Sequence, residues 1–185
     1  MFAGDSPMFI DPRQPSAPFD AQFFPQPVLL LSCGENMMPM GYWTVISKEP
    51  FRFLVCMQLG NYTLDLLRQH REAALHFMPW SDRERVVKAG HLSGRDGPKA
   101  PRLGYNLLPA EKLQHTQLVE GAEKVYETVV LQELEGLSRE FALFVLDVVH
   151  THGKSNPMTR PSIFYLSQKD FATLGERWKY RPQAW

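Results

Sequence analysis

Apolar and polar positions alternate with a period of two along much of this chain and with a helical period along little of it. Val28–Cys33 is a short, almost unbroken apolar run, the pattern of a buried strand. Gly34-Glu35-Asn36 follows with turn chemistry. Pro39–Ile46 reads as the next strand, and Lys48-Glu49-Pro50 breaks it. Phe51, Phe53, Val55 and Met57 then alternate with their neighbours. Gly60-Asn61 ends that strand. Leu64, Leu67 and the stem of Arg68 give one helical face as far as about Arg71, capped by Asn61 or Thr63.

Ala73–Met78 reads as another strand. Ser81-Asp82-Arg83-Glu84 matches a capping box and predicts a helix that carries Val86 and Val87 and stops at Gly90. His91–Tyr105 reads as a long loop rich in glycine, proline and charge. Val125–Leu134 and Phe141–His150 are strands joined by the turn Glu135–Ser138. The second is apolar almost throughout, so it belongs at the centre of a sheet. Ile163–Leu166 is extended, and Asp170–Trp178 reads as a short terminal helix. Six or seven strands, two or three short helices and no repeated βαβ period describe a mainly β protein. The fold class is a closed or nearly closed antiparallel β-barrel with peripheral helices.

Composition adds a boundary at the N-terminus. Six of the fifteen prolines lie in residues 1–27, together with Phe9, Phe19, Phe23 and Phe24. This separates residues 1–26, an irregular arm packing on the barrel or on a partner subunit, from a single domain over 27–185. Twenty basic residues balance twenty acidic ones, which argues against nucleic acid or an anionic membrane as partner. No apolar run reaches the length of a membrane span, and no signal peptide is expected. Cys33 and Cys56 read as buried free thiols, consistent with a cytoplasmic protein. His150 and His152 share a strand face, but no third ligand stands at telling spacing, so no metal is expected. Gly153-Lys154-Ser155 lacks the upstream glycine of a phosphate-binding loop, and no G-x-G-x-x-G follows a strand.

Three stretches carry candidate chemistry, each with a structural alternative. Gln58–Thr63 is a strand that runs into glycine and a helix N-terminus, where free N–H groups meet an anion; it also reads as a cap satisfying its own backbone. Ser93-Gly94-Arg95-Asp96 with Lys99 offers cations for an anion or a polar ring edge, or a solvated loop with an internal ion pair. Met40–Thr44 could face a flat heteroaromatic ring or pack as an ordinary barrel strand.

Together these stretches resemble the flavin reductase-like family, the FMN-binding split barrels. Pro25-Gln26-Pro27-Val28 looks like the family's opening strand, and Met40–Ser47 with Pro50 like its "T-A-A-W…S-x-x-P" segment. Gly60-Asn61-Tyr62-Thr63 looks like its "R-Y-T" turn, and Ser93–Lys99 through Gly104 like its "S-G-R-D-x-D-K-F…G". Arg160-Pro161 and Ala172–Glu176 look like the ending of the longer members. The resemblance implies a six-stranded Greek-key split barrel, a homodimer, and FMN in a groove. It places Met40, Gly41, Tyr42, Trp43 and Thr44 along the ring and Met57, Gln58 and Leu59 beside the ribityl chain. Asn61, Tyr62 and Thr63 fall at the phosphate, and Ser93, Gly94, Arg95, Asp96 and Lys99 close the site. The implied activity is NAD(P)H:flavin oxidoreduction, with NADH or NADPH as a transient co-substrate and no assigned catalytic side chain. The alternative is a flavoredoxin-like electron-transfer protein reduced by a protein partner. The chain departs from the family pattern in three places. Asn61 stands where arginine is usual, Pro98 and Ala100 flank the lysine, and Leu137–Glu140 replaces a Gly-Asp-His turn.

Overall fold

The architecture follows from one strand that the chain divides in two. The computed structural model describes residues 25–153, 162–167, 170–173 and 175. Its elements are β1 (Gln26–Pro27), β2 (Leu29–Cys33), β3 (Asn36–Met40), β4 (Trp43–Lys48), β5 (Phe51–Gln58), α1 (Tyr62–His70) and β6 (Glu72–Phe77). Then come α2 (Arg83–His91), α3 (Lys99–Leu103), β7 (Leu107–Leu108), β8 (Leu118–Val119), β9 (Lys124–Leu134), β10 (Phe141–Gly153), β11 (Phe164–Ser167) and β12 (Asp170–Ala172). Seven strands form one antiparallel sheet in the order β3-β2-β6-β9-β10-β5-β4. Its two edge strands, β3 and β4, are consecutive in the chain and separated only by Gly41 and Tyr42. The expected single strand Pro39–Ile46 is therefore a correction: it is two strands, and the break between them carries the chain from one edge of the curled sheet to the other. Counted as one, β3 and β4 leave the six strands of a split barrel, closed by the chain at one corner. The fold is mainly β, as the periodicity implies.

The packed interior explains the pairing. Leu29, Leu31, Phe53, Val55, Met57, Leu75, Phe144 and Leu146 fill it from four strands, all essentially inaccessible. β10 pairs with both β9 and β5 and sends Ala142, Phe144 and Leu146 into the core, which accounts for the apolar character of its first half. Helix α1 adds Leu64 and Leu67 to the same core, each contributing on the order of 1.5–3 kcal/mol by burial. Asn61 is its cap: the Oδ1 atom accepts from the Thr63 N–H at 3.0 Å. Arg71, left-handed at φ 59°, ends the helix and donates its N–H to Leu67 O.

Four further expectations are corrected. Helix α2 runs through Gly90 to His91. A Cβ at Gly90 would lie 2.9 Å from Pro39 Cγ, so this glycine is needed for the close approach of α2 to β3 and does not stop the helix. The capping box at Ser81–Glu84 is not formed. Trp80–Asp82 makes a 3₁₀ turn, and the Asp82 carboxylate pairs with Arg85 at 2.5 Å instead of capping. The stretch 91–105 is not a plain loop, because it contains a 3₁₀ turn at Gly94–Asp96 and the helix α3. The terminal helix is corrected at its start as well. Residues Asp170–Ala172 are β12, which pairs with β11 and through it with β1. Tertiary pairing has overridden a weak helical pattern. The arm (residues 1–24), the loop from 154 to 161 and most of the stretch after Ala172 lie outside the described residues.

Buried polar groups tie the long β7–β8 connection to the sheet. Glu72 accepts N–H bonds from Gln114, His115 and Thr116, and Glu127 from Glu111, Lys112 and Leu113. Burial pushes the Glu127 carboxyl up, but these N–H groups and the His152 ring outweigh it and hold it below the usual range. Cys33 and Cys56 are free thiols. Among the described residues no helix is long and apolar enough to cross a membrane.

Candidate functional site

The break between β3 and β4 opens a cavity of about 400 Å³, within the range of cofactor sites. Met38, Pro39, Met40, Gly41 and Tyr42 form one wall, and Cys56 and Gln58 of β5 another. Asn61, at the N-terminus of α1, closes one end. Val87, Gly90 and His91 of α2 and Tyr165 and Phe171 of the β11–β12 hairpin cover the opposite side.

The local backbone gives this cavity its chemistry. At the break the ladder stops: Trp43 N–H bonds to Gly41 O at 3.2 Å, and Tyr42 O accepts from Cys56 N–H at 2.9 Å. Among the described residues the N–H groups of Gly41 and Tyr42 make no backbone hydrogen bond. They are donors without the strand partner that a continuous ladder would supply. A Cβ at Gly41 would meet nothing within 4 Å, so this glycine borders open space. Tyr42 stands edge-on to Phe141, with ring centroids 5.5 Å apart. The wall is thus apolar and aromatic, with a few main-chain donors at its edge.

Five of the sixteen residues named from the sequence line this cavity: Met40, Gly41, Tyr42, Gln58 and Asn61. Three more, Tyr62, Gly94 and Arg95, line a separate cavity of about 410 Å³ on the other side of the α1 N-terminus. There the Arg95 guanidinium stacks 5.1 Å above the Tyr62 ring and pairs with Asp65 at 2.7 Å. Four are spent on structure. Trp43 packs against Phe53 and Phe77 and donates its indole N–H to Pro27 O at 2.9 Å. Met57 belongs to the core. Thr63 is inaccessible, and its hydroxyl oxygen accepts from Asn36 Nδ2 at 2.8 Å. Lys99 is buried, donating to Met37 O at 2.8 Å and Ala89 O at 2.9 Å. The remaining four, Thr44, Leu59, Ser93 and Asp96, are exposed outside both cavities.

Lys99 has a clear physical role. Ala89 O is one of the last four carbonyls of α2, which lack helical partners and sit at the negative end of the helix dipole. The ammonium caps that end and ties it to β3, holding two walls of the cavity together. Desolvation, reinforced by Arg102, lowers its pKa to about 8. Sequence reasoning missed the residues that α2 and the terminal hairpin bring in: Val87, Gly90, His91, Tyr165 and Phe171. The capping-box match placed α2 in the sequence, but nothing local says which face it turns to β3.

Comparisons with known proteins identify the fold and the family. A flavin reductase-like domain matches residues 21–174. No curated protein matches the chain by sequence. Flavoredoxin from Methanosarcina acetivorans superposes with a TM-score of 0.75 at 16% identity, over 90% of this chain and 95% of that one. An FMN-binding protein from Thermus thermophilus, solved with p-hydroxybenzaldehyde, gives 0.77 at 22% identity over 95% and 100%. Nitrilotriacetate monooxygenase component B from Bacillus cereus gives 0.77 at 15% identity over 96% and 100%. At these identities the structures establish a shared fold, and the domain match, spanning most of the chain, places the protein in the flavin reductase-like family.

Proposed function

We propose that the cavity at the β3–β4 break binds FMN and that the protein passes hydride from NADH or NADPH to it. The observation that carries this reading is the pair of N–H groups at Gly41 and Tyr42, without a backbone partner among the described residues, beside an apolar cavity of about 400 Å³. A flat heteroaromatic ring with carbonyl and nitrogen acceptors on its rim fits that arrangement. Gly41 leaves room for it, and Met38, Met40 and Tyr42 offer apolar surface. Gln58 and Asn61 stand on the ribityl and phosphate side, where the α1 N-terminus favours an anion. Arg95, by contrast, is committed to Tyr62 and Asp65.

When bound, FMN supplies the chemistry by accepting a hydride at N5. The chain's part is to orient and to exclude water. The Gly41 and Tyr42 N–H groups fix the ring edge and oppose negative charge that develops there. Tyr42, Phe141 and the α2 wall keep water from the ring. No side chain need donate or accept a proton, so no catalytic acid or base is assigned.

A second reading, electron transfer from a protein partner, is favoured by the outer edge strand. On β4, Val45 is 44% and Ile46 47% exposed, an apolar edge suited to a second protein surface. A second copy of this chain, forming a homodimer, is one such surface, and sedimentation tests it. The deciding experiment is anaerobic mixing of FMN-loaded protein with NADH and with NADPH. Bleaching of the flavin absorption supports the reductase. Retained FMN that neither nicotinamide bleaches supports the electron-transfer reading, and failure to take up FMN refutes both.

A further inference from the structure

The cavity at the β3–β4 break does not end at α2. A second cavity, of about 490 Å³, runs along the outer face of that helix and shares Val87, His91 and Phe171 with the first. Val87 and His91 are one turn apart, so the two cavities meet across a single helical ridge. At the far end the Arg83 guanidinium lies over the Trp80 ring, 4.9 Å from its centre, and Phe171 adds a second aromatic surface. Arg83 also donates to Trp80 O at 3.2 Å, which fixes the guanidinium beside the indole. Lys88 is exposed along the same groove. Among the described residues, one lining carboxylate stands against Arg83, Lys88 and the His91 imidazole: Glu84, 3.7 Å from Arg83 and largely in solvent.

An aromatic floor with a cationic rim suits a phosphorylated nucleoside: the base stacks and the phosphate oxygens take the guanidinium and ammonium. Resting on the hydride-donor reading above, we propose that this groove holds the adenosine half of the nicotinamide donor and selects NADPH over NADH. The two donors differ by a 2′-phosphate, which adds negative charge where the groove is positive. The junction at Val87, His91 and Phe171 lets one molecule reach both cavities, with its nicotinamide toward the ring site and its adenosine along α2. Arg83 and Lys88 are specificity residues in this scheme and touch no reacting atom.

The test uses FMN-loaded full-length protein under anaerobic conditions, with the donor concentration for the half-maximal rate of bleaching read for NADPH and NADH. The expected preference for NADPH is about tenfold or more, shrinking at high salt because the contacts are exposed. Lys88→Glu and Arg83→Gln should each collapse the ratio. Lys48→Glu, at the far end of β4, carries the same charge change as Lys88→Glu and should keep it. Calorimetry with adenosine 2′,5′-bisphosphate and with adenosine 5′-monophosphate gives a readout independent of hydride transfer; the bisphosphate should bind more tightly, and Lys88→Glu should remove the difference. A half-maximal rate of bleaching reached at lower NADH than NADPH, or a ratio unmoved by both groove variants, overturns the groove proposal and leaves the reductase standing. Equal binding of the two adenosine phosphates does the same. Bleaching by neither donor overturns both.

Discussion

His76 should make the fold acid-sensitive in a window set by one buried ring. The side chain is inaccessible and uses both nitrogens: Nδ1 lies 3.0 Å from Leu30 O, and Nε2 accepts from the Val119 N–H at 2.9 Å. That assigns the neutral tautomer with the proton on Nδ1. Burial lowers the pKa from 6.5 to about 4, against smaller opposing effects of the Leu30 and Ala74 backbone. A proton on Nε2 would also set a donor against the Val119 N–H. The folded state therefore binds this proton less readily than the unfolded chain. The stabilisation is fully present above pH 6.5 and is lost as pH falls toward 4. A shift of about 2.5 units at about 1.4 kcal/mol each amounts to roughly 3 kcal/mol, of which about 2 kcal/mol is gone by pH 5. That is a large share of a total of about 5–15 kcal/mol. The assay is urea unfolding from pH 8 to pH 4.5 of the wild type and of His76→Gln, which offers an acceptor to Val119 but does not titrate. Subtracting the two curves removes the other histidines and the carboxylates. The wild type should lose about 2 kcal/mol more than the variant between pH 8 and pH 5. Curves parallel to within about 0.5 kcal/mol would refute the reasoning.

Three other substitutions test particular contacts. Lys99→Met removes the ammonium that joins Met37 O to Ala89 O. It should cost about 2–4 kcal/mol of stability even without FMN, measured by thermal unfolding of flavin-free protein. Unchanged stability with weakened FMN uptake would instead make Lys99 a ligand. Glu72→Gln replaces a carboxylate that accepts three N–H groups of the β7–β8 connection. Amide hydrogen exchange at Gln114, His115 and Thr116 should rise, with about 2 kcal/mol lost; exchange confined to wild-type rates would contradict this anchoring role. Gly94→Ala places a Cβ against Asn36 Oδ1, whose buried side chain is held by its bond to Thr63, and 2.7 Å from Tyr62 Cδ1. About 1–3 kcal/mol of destabilisation is expected from chemical denaturation, and a neutral result would show that α1 can shift away from the loop.

Much of the barrel was legible in the chain because the strands obey a local rule. Alternation in Phe51–Met57 and the nearly continuous apolar run of Phe141–His150, interrupted at Asp147, mark strands that each bury a face in the core, and the structure pairs these two strands with each other. Asn61 as a cap was legible for the same reason: a helix N-terminus needs an acceptor within a few residues. The candidate site was legible only in part. Met40, Gly41, Tyr42, Gln58 and Asn61 do meet at one cavity, but Lys99 and Thr63, which look like anion ligands in sequence, are turned inward to orphan carbonyls and to Asn36.

By itself, then, the sequence determined the strand content, the antiparallel pairing of neighbours and the chain segments from which a site could be made. These depend on the periodicity of burial and on short-range capping, both written in consecutive residues. Only the tertiary structure decided that Pro39–Ile46 is two edge strands joined at Gly41 and Tyr42, and that α2 and the β11–β12 hairpin wall the resulting cavity. Sheet closure is a property of all seven strands and their twist, so no local pattern records where the ladder must break. That break frees the two N–H groups on which the proposed flavin site rests.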